Sequence, residues 1–461
     1  MRKIYLALTL ALGTALAAHA GGLMTNTNYH IAFDRMFARG TSTEIDAAYS
    51  NPAGLVWGHE GWQLSLNFQK PWQNRDIEVS VPGYLGTGFD KKYNGVASAP
   101  IVPALFASYK KDRLAISGMI GIVGSGGFVE YEEGIPMFEV PLRALLAQAG
   151  MMPNTYAYSA NMKGKQYIYG AQINVAYKIN DNFSAAIGLR GNYYDGYNRG
   201  FVNATMDPNT NPVLSGPVPL IDLQLDCIQR GFGVAPIVSV DYHNGPLTIA
   251  ARYEFRTKIN TENDTKQLSA RIKNTDPNTA DMMPYIEGAT ALQQFGDKVA
   301  AYQDGTNVRY DMPSLLVAAI GYEFTPQLRA ALEYHFFDDK HAKMYGDRQK
   351  TLDHGTHEIL AGVEYDINKK FTVSCGGQRT DYGLSDAYQQ NTSFACDSYS
   401  LGLGGVWNIN EKMRLNVSYF CSLYSKYEKG PQPNYQGTPY TGTETYSRTN
   451  HVIGIGLDYK F

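Results

Sequence analysis

The stretch His451-Val452-Ile453-Gly454-Ile455-Gly456-Leu457-Asp458-Tyr459-Lys460-Phe461 alternates large apolar residues with small or polar ones. Side chains along a strand point to opposite faces in turn. Ile453, Ile455, Leu457, Tyr459 and Phe461 therefore share one face, and Gly454, Gly456, Asp458 and Lys460 the other. A soluble sheet could carry this pattern once. Repeated along an exported chain and ended by an aromatic residue, it is the pattern of the closing strand of a bacterial outer-membrane barrel.

The opposite end supplies the export half of that reading. Arg2 and Lys3 precede an apolar run from Ile4 to Leu16, and Ala18-His19-Ala20 is a small-x-small cleavage site. Residues 1–20 are thus expected to be a signal peptide, with Gly21 as the new N-terminus. The run is too short for the ~20 residues of a membrane-spanning helix. Elsewhere no uninterrupted apolar stretch reaches spanning length and mean hydropathy is −0.30, so the chain either is soluble outside the cytoplasm or crosses a membrane as strands. The 34 Tyr outnumber the 19 Phe, as suits rings placed at two membrane interfaces with their hydroxyls wet.

Other function classes lose support from the same composition. A net charge of −3 has no electrostatic footprint for nucleic acid. Cys227, Cys375, Cys396 and Cys421 form no CxxC or Cys/His spacing, and the 9 His are scattered. Neither a metal site nor a cofactor is expected. Glu333 and His335 share a face, but no nucleophile motif points at them, so the chain does not read as an enzyme.

Six tight polar turns punctuate the chain, at residues 111–112, 180–182, 243–246, 325–327, 368–370 and 410–412. Each is flanked by alternating Val, Ile, Tyr and Phe, as in Leu247 to Phe255, Leu328 to Phe336 and Met413 to Leu423. Seven longer polar connections lie between them, near 71–100, 132–160, 203–220, 262–307, 340–355, 382–394 and 427–446. Short turns alternating with long loops predict an all-β fold, a 14-stranded antiparallel transmembrane β-barrel over residues 61–461. Closure leaves no sheet edge unpaired in lipid.

Parity assigns the faces. Ile249, Ala251 and Tyr253 point to lipid, while Arg252 and Glu254 point into the lumen; Leu332 and Tyr334 face out, Arg329, Glu333 and His335 in. Arg190 and Arg414 fall on lumen faces by the same count. A charge on the lipid face would cost ~2–4 kcal/mol near mid-bilayer.

Residues 21–60 do not alternate. His30 to Gly40 and Thr43 to Tyr49 read as two short helices, followed by Asn51-Pro52-Ala53. Some forty ordered residues ahead of a barrel must sit somewhere, and the lumen is available: an N-terminal hatch is expected there. At this point the chain resembles the FadL/TodX/OmpP1 family of outer-membrane transport proteins. The resemblance rests on Asn51-Pro52-Ala53 before the first strand, Val102-Pro103 opening the second and the Tyr253 to Asn260 segment. Met312-Pro313 opening the eighth strand and the aromatic C-terminus complete it. It implies a hatch plugging the lumen and passive uptake of long-chain fatty acids or other hydrophobic molecules. One position departs: Glu254 stands where the family's Tyr-Arg-Ser segment has arginine, with Arg256 two residues on.

Further expectations concern the path. The loop after strand three carries Leu145, Leu146, Met151 and Met152 in a helical run, and the fourth long loop carries Met282 and Met283. Both suit a promiscuous capture surface, or two helices packing on each other as a cap. Burying ~14 methylenes at ~0.8 kcal/mol each gives ~11 kcal/mol, against ~1.5–3 kcal/mol for a charge-assisted bond to a headgroup. The tail should govern affinity, with Arg190, Arg252, Arg256 and Arg329 as headgroup candidates, unless they pair with lumen acids. Strand three breaks its alternation at Gly124-Ser125-Gly126-Gly127. Glycines within a strand mark bulges, and the family's kink here implies lateral release into the outer membrane. Expected partners are the ligand, outer-membrane lipid and the barrel-assembly machinery reading Phe461, for a monomer in a Gram-negative cell. The rival reading is a general porin or a structural barrel without a lipophilic substrate; forty residues of plug argue against an open channel.

Overall fold

The computed structural model describes residues 29–99, 101–206, 215–274, 278–293 and 301–461. The predicted export signal, the first residues of the predicted hatch and residues 294–300 of the fourth long loop lie outside them. Fourteen antiparallel wall strands close into a barrel. They are β1 (Gly61–Val81), β2 (Phe89–Ser98 with Val102–Lys111), β3 (Leu114–Tyr131), β4 (Ala157–Lys178), β5 (Phe183–Met206), β6 (Val218–Asn244) and β7 (Leu247–Glu254 with Asn260–Lys273). The second half is β8 (Asn307–Arg309 with Leu315–Glu323), β9 (Leu328–Phe337), β10 (Thr356–Asp366), β11 (Phe371–Asp381), β12 (Ser398–Asn408), β13 (Met413–Tyr424 with Tyr427–Gln432) and β14 (Gly442–Lys460). Closure runs through β14 and β1, in register from Gln63↔Lys460 to Ser80↔Thr443. The Phe461 amide adds a bond to the Trp62 carbonyl at 3.0 Å.

All six predicted tight turns join neighbouring strands. The loops differ. Most of the segment read as a loop over 71–100 is strand: β1 continues to Val81 and β2 begins at Phe89. β6 spans 27 residues, where ~9–11 cross a bilayer. The physical reason is a change of surroundings along one strand. Within the membrane the apolar side faces out, as Ile173, Ile187, Val240, Leu403 and Ile453 do. Beyond it water lies outside, so in Arg75 to Val81 the apolar residues Ile77, Val79 and Val81 turn inward, under a cluster with Tyr84, Tyr131 and Tyr446. The alternation persists with its hydrophobic sign reversed.

The segment ahead of β1 is buried within the wall. It holds α1 (Ile31–Arg35), α2 (Ala47–Ser50) and a 3-10 turn Pro52–Trp57. Its first half packs Phe33 and Phe37 on Leu360, Phe420 and Val452. Its second half packs Ala48, Tyr49 and Leu55 among Phe106, Met119 and Ile168. The glycines of β14 make room for it: a Cβ on Gly454 would lie 2.5 Å from Ile31 Cδ1, and one on Gly456 2.9 Å from Ile31 Cγ1.

Candidate functional site: a cavity between the N-terminal segment and the bulged third strand

Buried polar contacts to many strands hold the segment, as its backbone requires where water is excluded. His30 Nε2 lies 3.1 Å from Asp458 Oδ1, to which Ser65 also donates at 2.6 Å. Arg35 pairs with Glu364 and donates to Ser374 at 2.9 Å. The Gly40 amide donates to Glu333 at 2.6 Å; His335 in turn bridges Glu333 at 2.5 Å and Glu358 at 3.0 Å. Asn51 donates to Asp241 at 3.2 Å, the Ala53 amide to Ser239 at 3.1 Å, and Gln172 and Asn174 both to the Ala48 carbonyl.

One ionic cluster lies largely within the segment. Arg39 grips Asp46 at 2.7 Å and Glu44 at 3.0 Å, and Arg414 reaches Glu44 from the wall. Burial alone would raise both carboxyls, but Arg414 and Arg39 hold Glu44 well below its ordinary 4.5, and Arg39 holds Asp46 below 3.8. These depressed groups stabilise docking fully above their ordinary values and lose that contribution as pH falls through the lower, folded ones. Burial pushes Asp34 the other way, well above 3.8, so its contribution improves on acidification. Docking should therefore not weaken between pH 8 and about 5 and should fail only below about pH 4. Bilayer conductance followed against pH measures this; opening at pH 6 would contradict it.

The structure brings Arg190 and Arg252 together around the segment. Their guanidiniums lie 5.3 and 5.4 Å from the Tyr49 ring, and Arg252 donates to the Tyr49 carbonyl at 2.6 Å. Arg190 is also paired with Glu254. Arg256 lies apart, 3.8 Å from Asp311 and bonded to the His341 carbonyl. Arg329 pairs with Glu364 and, at 2.8 Å, with Asp366. None of the four lines the cavity described next.

That cavity, about 160 Å³, follows the inner wall from β11 through β14 and β1 to β3. Phe33 and Phe37 form its side toward the segment, with Phe420 and Val452 beside them. Ser398, Ser400, Ser422, Thr380 and Gln378 supply a polar stretch, and Arg75 and Arg448 also line it. Ile122, Gly124 and Gly127 of β3 line it, with Tyr167 of β4 beside them. There β3 slips register against β4 twice, between Ile122 and Gly124 and between Ser125 and Gly127. Gly127 has φ +71°, a conformation that L side chains rarely adopt. Two bulges within six residues bend the strand and interrupt its ladder.

Of the loop residues, Leu145, Leu146 and Met151 enter one cluster with Ile286, Ala291 and Leu292. Helix α3 (Pro136–Gln148) thus packs on the fourth long loop. Met152 is exposed, and Met282 and Met283 are 85% and 57% exposed. A small apolar cleft of about 30 Å³ opens beside this cluster, lined by Phe138, Met162, Leu223 and Leu268. Sequence reasoning missed Arg75 and Arg448. The alternation from Arg75 to Val81 carried the signal for Arg75, hidden by its reversed hydrophobic sign.

No protein-family profile matches the sequence, and no curated protein does. Solved structures do match. A Pseudomonas aeruginosa FadL homologue superimposes with a TM-score of 0.65 at 14% identity, covering 96% of this chain and 100% of that one. The toluene transporter TodX of P. putida gives 0.55 at 12% identity, covering 91% and 95%. A TodX deltaS2S3 mutant, described as a monoaromatic hydrocarbon channel, gives 0.59 at 13%, covering 94% and 99%. The shared property is the fold.

Proposed function

With the fold of the FadL family as premise, we propose that this chain is an outer-membrane channel for passive, energy-independent uptake of hydrophobic small molecules, long-chain fatty acids among them, in a Gram-negative bacterium. Residues 21–60 act as the hatch, with Asn51, Pro52 and Ala53 at its exit, and residues 61–461 as the barrel. The observation that carries the reading is the cavity that joins Phe33 and Phe37 of the hatch to the bulged wall at Gly124 and Gly127.

Ligand is captured where Leu145, Leu146, Met151, Met152, Met282 and Met283 cluster or stand exposed above the barrel. Apolar surface exposed to water there is costly, and a ligand covering it is favoured by ~25 cal/mol per Å². From the cavity it leaves sideways at Gly124, Gly126 and Gly127, because entry into an aqueous compartment would forfeit that gain. Phe461 is the residue read by the barrel-assembly machinery, and the chain works as a monomer. No catalytic step is required. Reconstituted barrels in a planar bilayer should stay silent while binding radiolabelled oleate or toluene. A steady large conductance without binding would instead make this a general porin.

A further inference from the structure

Arg75 on β1 and Arg448 on β14 stand directly opposite each other in the pairing that closes the barrel, and both line the cavity. Like charges placed directly across a strand pair repel, so this arrangement requires a compensating partner. Arg75 is 3% exposed. Its Nη2 donates to the Phe394 carbonyl at 2.6 Å and its guanidinium lies 4.7 Å from the Phe394 ring, while Nη1 has no acceptor. Arg448 Nη2 donates to Gln73 Oε1 at 3.3 Å, its guanidinium lies 4.7 Å from the Tyr424 ring, and Nε has no acceptor.

Among the described residues neither makes an ion pair with a carboxylate, whereas Arg190, Arg252, Arg256 and Arg329 each do. Arg75 is buried and Arg448 half-buried, and cations held out of water without a counter-charge are costly. Placed directly opposite, each with an unpaired N–H, the two offer donors that an anion would satisfy. Planar guanidinium forks match a carboxylate best. The cavity continues from them past Ser400 and Ser422 to Phe420, Val452, Phe33 and Phe37, and that far side suits an apolar remainder of the anion.

We propose that Arg75 and Arg448 bind the carboxylate of an apolar monocarboxylic acid whose body lies against Phe33, Phe37 and Phe420. The proposal rests on the uptake reading above and deepens it: the cargo is an acidic amphiphile, read by the seam between the first and last strands. At about 160 Å³ the cavity is close to the ~150 Å³ that accommodates benzene in an apolar core. A ring or short chain fits within it, and a longer chain extends toward the β3 bulges. A neutral hydrocarbon would occupy the apolar half and leave the buried donors unpaired.

The full chain held in amphipol at pH 8, titrated with decanoate and separately with toluene, tests this. Arg448→Gln and Arg75→Gln should each weaken decanoate binding by about tenfold or more, the loss of one charge-assisted hydrogen bond, and leave toluene binding unchanged. Arg448→Gln should also raise the unfolding midpoint without ligand, because it removes the cross-strand repulsion; a purely structural arginine would lower it. Should Arg75→Gln fail to fold, Arg448→Gln alone decides. Decanoate affinity unchanged in the variants, with toluene bound, overturns the carboxylate site and leaves the uptake reading standing. A wild-type chain that binds neither probe overturns both.

Discussion

Removing residues 29–57 behind an intact export signal is expected to convert a silent barrel into a steady, water-filled pore. The wall does not depend on the segment for closure, since β14 and β1 pair over the whole length from Gln63↔Lys460 to Ser80↔Thr443. Lumen groups that the segment now satisfies, Asp458, Glu333, Glu364 and Arg414 among them, would become hydrated instead of stranded. Point substitutions grade the effect. Gly454→Val places a side chain where Ile31 sits, an overpacking cost of about 1–3 kcal/mol. Arg35→Ala leaves the buried Glu364 with Arg329 but without its second cation, at up to about 3–5 kcal/mol. Arg35→Ala should therefore open the channel more often than Gly454→Val, and the two together should approach the deletion. Single-channel recording checks the order, and heat-modifiable mobility in detergent gels verifies the folded wall. A deletion that stays silent would assign the closure to the loop cluster around α3 instead.

Filling the bulges of β3 should abolish uptake without unfolding the barrel. Gly127→Val adds a β-branched side chain at φ +71°, strained by roughly 1–2 kcal/mol, on the part of the cavity lining where the wall ladder is interrupted. Gly124→Val occupies the same part. Initial uptake of radiolabelled oleate should fall at least about tenfold in each, as a blocked step would, while the barrel still assembles. Gly83→Val is the matched control: φ is again +71°, yet nothing lies within 4 Å of an added Cβ, so the strain is similar and uptake should not change. Equal loss in all three would reduce the effect to backbone strain; no loss in Gly124→Val and Gly127→Val would rule out lateral exit.

Several features were legible because period-two alternation against lipid leaves no freedom. Ile249 and Tyr253 point out while Arg252 and Glu254 are buried, because a one-residue slip would put a charge in the bilayer. The turns at 180–182 and 410–412 were legible for a local reason: Asn180 and Asn410 accept bonds from the amides two and three residues on. The extended strands were not legible. From Arg75 to Val81 the alternation survives, but it is the inner face that is apolar, and a polar outer face reads as loop. Arg190 and Arg252 could be placed in the lumen by parity, yet parity says nothing about which lumen group an arginine meets.

That division states what each level decided about this protein. The sequence by itself determined the membrane-spanning part of the wall, its tight turns and which side chains face lipid, because there each strand meets the same two solvents and its pattern is set locally. The closing strand that ends at Phe461 is of this kind. Only the tertiary structure decided how the lumen is used. Pairings between residues hundreds of positions apart, such as Arg35 with Glu364 and Ser65 with Asp458, depend on closure of the ring. The same closure places Arg75 opposite Arg448, two residues that neither spacing nor composition relates, and makes one uncompensated site of them.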